Sequence, residues 1–120
     1  MDIAIIDDDE SVRESTRALL RSEGYQASTF ASAEQFLNSD DIEEIKCLIL
    51  DIRMPGMDGL ELQRRLVDIG TPVRIIFLTA HDDAMNRRRA IDGGALAFLS
   101  KPFEASILVA AVQAAFSVKP

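Results

Sequence analysis

The sequence predicts an α/β protein with a five-stranded parallel sheet, doubly wound with helices on both faces. Three observations lead there. Short runs rich in Ile, Leu and Val recur at regular intervals along the 120 residues, and segments with helical spacing lie between them. The runs are nearly continuous in apolar residues rather than alternating, as strands covered on both faces require. The length suits one compact domain, residues 1–120, with a single two-faced core.

The elements follow in order. The first strand is "IAII", Ile3 to Ile6. A helix over Ser11 to Glu23 places Val12, Thr16, Leu19 and Leu20 on one side, and Gly24 stops it. The second strand, Tyr25 to Phe30, alternates and has the weakest pattern. Ser32 with Gln35 fits a capping box for the second helix, where Phe36 and Leu37 supply apolar weight. The third strand is "CLIL", Cys47 to Leu50. Asp58 suits the N-cap of a helix striped by Leu62, Leu66 and Ile69 and ended by Gly70. The fourth strand is Val73 to Leu78. Asp82 to Asp92 has the poorest helical pattern, because Arg87, Arg88 and Arg89 interrupt any wide apolar face. The fifth strand is Ala95 to Leu99. A last helix, Phe103 to Phe116, carries Leu108, Val112 and Phe116 at spacings of four. The closing "SVKP" suits the start of a linker or the end of a chain.

Composition narrows the function. At 48% hydrophobic and 28% charged residues the class is soluble and globular. No apolar run approaches the ~18 to 20 residues that span a bilayer, and "MDIAIIDDDE" has no basic leader, so a cytoplasmic location is expected. Cys47 is the only cysteine, which excludes an intrachain disulfide and a cysteine-based zinc site. The net charge of −7 argues against nucleic-acid binding by this domain.

The residues that follow the strands carry the chemistry. After the first come Asp7, Asp8 and Asp9; after the third, Asp51; after the fourth, Thr79 and Ala80; after the fifth, Ser100, Lys101 and Pro102. In an open parallel sheet these ends share one edge, where ligands bind at the topological switch. If Asp7, Asp8 and Asp51 meet within ~4 Å, each like-charge pair costs roughly 4 kcal/mol at an effective dielectric of about 20. Lys101 alone cannot balance three carboxylates, and a divalent cation can. Oxygen ligands of this kind suit Mg²⁺, which usually shares its shell with a phosphate. A carboxylate can also be a phosphoryl nucleophile, forming an acyl phosphate. Taken singly, each residue has a plainer use: an N-cap among Asp7 to Asp9, a turn aspartate at 51, a loop lysine before proline. Four strand ends delivering such groups together make the plain reading improbable. His81 is expected to be a loop histidine, Met54 and Met57 loop packing, and Arg87 to Arg89 a solvated helix face.

The blocks "IIDDDES", "LDIRMPGMDG", "FLTA" and "FLSKPF" resemble the receiver domains of two-component response regulators, the family of CheY. The resemblance covers essentially the whole chain. "SAEQFL" and "AIDGGALAFLSKPF" look most like FixJ-type receivers, which usually carry a C-terminal helix-turn-helix output domain. The resemblance implies the flavodoxin-like strand order 2-1-3-4-5 and a role for each matching position. Asp51 matches the phosphoacceptor. Asp8 matches the carboxylate that binds Mg²⁺ directly (Mn²⁺ can substitute), Asp7 its neighbour acting through water, and the Arg53 backbone carbonyl the third protein ligand. Thr79 matches the switch hydroxyl, Ala80 the small residue giving the phosphoryl group access, and Lys101 its ammonium partner. Lys101–Pro102 matches a peptide that is usually cis. Phe98 matches the switch aromatic that turns inward on activation. Arg53 and His81 flank the site where the phosphoryl lifetime is tuned in the family.

The implied function is a phosphorylation switch. A sensor histidine kinase donates the phosphoryl group, and the response reaches an output domain or partner protein, in the expected case one controlling transcription. Homodimerisation through the face of the fourth helix, fifth strand and fifth helix fits the same picture. The domain would catalyse only its own phosphorylation and dephosphorylation. A stand-alone receiver acting on a protein partner is the nearest alternative. A haloacid-dehalogenase-like phosphatase would need a second acid two residues after the nucleophile, where Arg53 stands. An inert interaction module is opposed by the complete set Asp7, Asp8, Asp51, Thr79 and Lys101. A dinucleotide-binding domain would need a glycine-rich first turn in place of "DDDES".

Overall fold

The computed structural model describes residues 2–40 and 42–117. The last three residues of the "SVKP" end lie outside them. Strands β1 (Ile3–Ile6), β2 (Ala27–Phe30), β3 (Cys47–Leu50), β4 (Arg74–Thr79) and β5 (Ala97–Ser100) alternate with helices α1 (Glu10–Ser22), α2 (Ala33–Leu37), α3 (Gly59–Ile69), α4 (Ala84–Asp92) and α5 (Ala105–Ser117). The sheet has the order β2-β1-β3-β4-β5, as the resemblance implied, and every pairing is parallel. The chain steps outward from β1 to β2 and then returns past β1 to β3, so the order reverses between β1 and β3. That reversal opens the crevice in which ligands of such sheets bind.

Each strand feeds two cores, because successive side chains point to opposite faces. Ala4, Ile6, Leu48, Leu50, Ile75 and Phe77 pack with Phe36, Leu62 and Leu66 under α2 and α3. Ile3, Ile5, Cys47, Ile49, Ile76 and Leu78 pack with Leu20, Leu108 and Val112 under α1 and α5. This explains why the strands read as unbroken apolar runs. Burial also pushes the Cys47 thiol up to about 12, which keeps it neutral in the core.

Several expectations need correction. β2 starts at Ala27 rather than Tyr25, and β4 and β5 each extend to one residue past the expected end, to Thr79 and Ser100. The Ser32 side chain accepts from the Gln35 backbone N–H, but Gln35 Oε1 accepts from Ala31 N–H, one residue ahead of the expected capping-box partner. α3 buries Leu60, Leu62 and Leu66, whereas Ile69, its last residue, is 57% exposed. α5 starts at Ala105 and seals with Leu108, Val112 and Ala115; Phe116 is 38% exposed and stacks on Tyr25, ring centroids 5.9 Å apart.

Candidate functional site

Backbone pairing carries the strand ends into the crevice. Asp7 N–H donates to the Phe30 carbonyl at 3.2 Å, Asp51 N–H to the Ile6 carbonyl at 3.1 Å, and Lys101 N–H to the Thr79 carbonyl at 2.9 Å. The ladder therefore runs one residue beyond the apolar strands, placing Asp7 and Asp51 at adjacent strand tips and Lys101 two strands from Asp51, at the tip of β5. Of the three acids after β1, Asp9 is the N-cap of α1, accepting from Ser11 N–H at 2.8 Å and Val12 N–H at 3.3 Å. Asp7 and Asp8 are left for the crevice.

Asp7 and Asp51 are 3% and 7% exposed, so both carboxylates have lost most of their water. Asp7 Oδ1 accepts from Asp9 N–H at 2.9 Å, and its Oδ2 from the Lys101 ammonium at 2.7 Å. Arg13 steadies the same residue by donating to its carbonyl at 2.8 Å. Asp51 Oδ1 accepts from Ile52 N–H at 2.7 Å, while its Oδ2 lies 3.3 Å from the Lys101 ammonium. Asp8 is exposed, and carboxylate oxygens of Asp7, Asp8 and Asp51 all lie within 4.8 Å of one another.

The charges are unbalanced. Burial raises the Asp7 pKa above the ordinary carboxylate value; the Lys101 hydrogen bond opposes the shift and the nearby Asp51 charge adds to it. Burial works against the Lys101 ammonium, but its bond to Asp7 and the charges of Asp51 and Asp7 together raise its pKa. One cation thus serves two buried carboxylates, with a third beside them. This cluster, made only of oxygen donors, is compatible with a hard divalent cation.

The other expected residues lie in or just after β3, β4 and β5. Thr79 is fully buried at the end of β4, and its Oγ1 accepts from His81 N–H at 3.0 Å. Ala80 and Arg53 are exposed. The Lys101–Pro102 peptide is cis. Phe98 is buried against Phe77, ring centroids 6.0 Å apart. Met54 is buried, and Met57 packs on the α2–α3 side of the core.

Two features escaped the sequence reading. Glu34 on α2 reaches across to the loop after Asp51, where its Oε2 accepts from Met57 N–H at 2.9 Å. Gly56 in that loop has φ +77° and faces Glu34 so closely that a Cβ would collide with the carboxylate. Nothing in the local pattern around Glu34 announces a partner 23 residues away. The second feature is Arg87. Arg88 and Arg89 do lie on an exposed face, but the Arg87 guanidinium sits 4.9 Å from the Phe98 ring centroid and pairs with Asp82 at 2.9 Å.

Comparison with known proteins finds relatives over nearly the whole chain. The family model described as the response regulator receiver domain matches residues 3–113. The response regulator protein TodT of Pseudomonas putida is 42% identical over 118 residues, covering 98% of this chain and 52% of that protein. The transcriptional regulatory protein FixJ of Azorhizobium caulinodans is 39% identical over 112 residues, covering 93% of this chain and 53% of that one. Among solved structures, the response regulator StyR superposes with a TM-score of 0.87 at 46% identity, covering 94% of this chain and 57% of that chain. The chain spans about half the length of the curated relatives it matches.

Proposed function

The chain belongs to the response regulator receiver family, and from that membership we propose that it switches on a phosphoryl group accepted by Asp51 from a sensor histidine kinase. The observation that carries the reading is the Lys101 ammonium between Asp7, at 2.7 Å, and Asp51, at 3.3 Å, inside a cluster of three carboxylates at the sheet's switch point.

Asp51 Oδ2 is the nucleophile, because Oδ1 is held by Ile52 N–H. The new bond joins Oδ2 to phosphorus, the phosphorus–nitrogen bond of the phosphohistidine breaks, and the imidazole nitrogen keeps the electron pair. Lys101, already beside Oδ2, takes a phosphoryl oxygen. A divalent cation, Mg²⁺ by preference, supplies the remaining positive charge when held by Asp8, Asp51, the Arg53 carbonyl and, through water, Asp7. Thr79 Oγ1 accepts from His81 N–H, which leaves its hydroxyl proton free to be donated to a phosphoryl oxygen. Ala80 leaves that approach open, and Phe98 repacks in response. The signal is a shift between two packings, which requires the phosphorylated site to favour one of them.

The name of the longer relative FixJ, a transcriptional regulatory protein, supports an output domain or partner protein in transcription, and homodimerisation through the α4–β5–α5 face is the accompanying expectation. A cytoplasmic location belongs to the same reading, as for receiver domains in general. No helix among the described residues is long and apolar enough to cross a membrane. The only reactions assigned are the domain's own phosphorylation and dephosphorylation.

The test is intact mass after incubation with acetyl phosphate and Mg²⁺. Wild type should gain one phosphoryl group and Asp51→Asn none. No gain by wild type, or an equal gain by the variant, overturns the assignment.

A further inference from the structure

α4 is the helix least secured by apolar burial, since Ala90 is its only buried residue. A polar cluster does the fastening instead. Asp82, three residues beyond Thr79, takes both its carboxylate oxygens to one Arg87 nitrogen at 2.9 Å each. The Ser100 hydroxyl donates to the same carboxylate. Ser100 ends β5 in register with Thr79 and immediately precedes Lys101. The Arg87 guanidinium covers the face of Phe98, two residues back along β5. The loop that follows Thr79, the second turn of α4 and the end of β5 are thus joined through four side chains.

We propose that Arg87, anchored on Asp82, is a positioning residue that holds the Phe98 ring in its buried place and couples that ring to the loop after Thr79. The coupling half of this inference rests on the phosphorylation reading; the ring-holding half does not. The physical case is direct. A guanidinium over an aromatic face is attracted by the ring quadrupole, and its charge-assisted bonds to Asp82 fix where it stands. Ser100 donates to Oδ2 of the same carboxylate, an oxygen that also accepts from Arg87, so Asp82 cannot shift without loosening its ties to both β5 and Arg87. Any displacement of the loop at Thr79 therefore reaches the ring.

The experiment places a single fluorine on the Phe98 ring and reads its solvent exposure from the H₂O/D₂O isotope shift in ¹⁹F spectra. Arg87→Gln and Asp82→Asn should each raise the exposed-to-buried ratio roughly 2- to 5-fold, the range of a part-exposed cation–π contact. The double variant should match the larger single effect, because both act through one tie. Arg88→Gln, on the open face, should leave the ratio unchanged. Acetyl phosphate with Mg²⁺ should shift the ratio in wild type and shift it less in Arg87→Gln, with equal phosphoryl uptake by mass. An unchanged ratio in Arg87→Gln, multiplying effects in the double variant, or an equal shift on phosphorylation overturns the proposal. Absent uptake by wild type strikes the phosphorylation reading instead, while the ring ratios still decide whether Arg87 holds Phe98.

Discussion

Gly59 is seated directly on the backbone of Asp51. A side-chain carbon built at Gly59 would run into the Asp51 carbonyl oxygen and come within 3.0 Å of Ile52 Cα, and Gly59 N–H donates to the Ile52 carbonyl at 2.7 Å. The first residue of α3 therefore buttresses the peptide that carries the candidate phosphoacceptor.

Gly59→Ala should consequently destabilise the domain, although glycine to alanine in a helix ordinarily gains up to about 1 kcal/mol. The collision is with backbone, which cannot rotate away, and overpacking of this kind costs about 1–3 kcal/mol. A net loss of roughly 1–2 kcal/mol in urea unfolding is expected, with the amide shifts of Asp51 and Ile52 displaced. A neutral or stabilised variant would show that the strand tip has room to move.

Charge imbalance at the crevice makes stability depend on cations. A ligand that binds only the folded state stabilises it by about 2.7 kcal/mol at a hundred times its Kd. Raising Mg²⁺ should therefore lift the melting temperature of wild type and have little effect on Asp8→Asn. Lys101→Met removes the cation shared by Asp7 and Asp51 and should lower metal-free stability by about 1–3 kcal/mol, less than a fully buried pair because the lysine side chain is 19% exposed. A Lys101→Met domain as stable as wild type without metal would contradict the charge picture.

The Glu34 clasp should respond to acid. Its pKa is lowered from 4.5 by the hydrogen bond from Met57 N–H. A depressed carboxylate contributes stability that is present above its unfolded value and lost as pH falls through the lower folded value. The Met57 amide resonance should titrate with a midpoint below 4.5, and the titration should vanish in Glu34→Gln. A midpoint at or above the ordinary value would mean that the bond does not persist in solution.

The legible parts of this protein are those whose causes are local. "IAII" and "CLIL" become β1 and β3 with no change of boundary, because a short apolar run bounded by charged residues leaves few other outcomes. Asp58 caps α3 for an equally local reason, its carboxylate accepting from Glu61 N–H at 2.8 Å. Periodicity misled at helix ends. Ile69 follows Leu66 at helical spacing, yet burial there depends on whether the sheet extends beneath the last turn, and it is exposed. Phe116 fails in the same way, finding Tyr25 rather than the core.

Strand runs and their acidic or basic tips specify the sheet, its cores and the edge at which Asp7, Asp51, Thr79 and Lys101 emerge, since a strand's last residue must lie where its strand ends. Which of these groups pair could not be read along the chain. Lys101 meets Asp7 across 94 residues, and more closely than it meets Asp51, while Asp9, only two residues from Asp7, turns away to cap α1. Arg87 looks like its neighbours Arg88 and Arg89 until α4 is laid against β5, when it alone of the three covers Phe98. Hydrogen bonds and ion pairs act over a few ångströms, so their partners are chosen by how elements pack rather than by spacing along the chain.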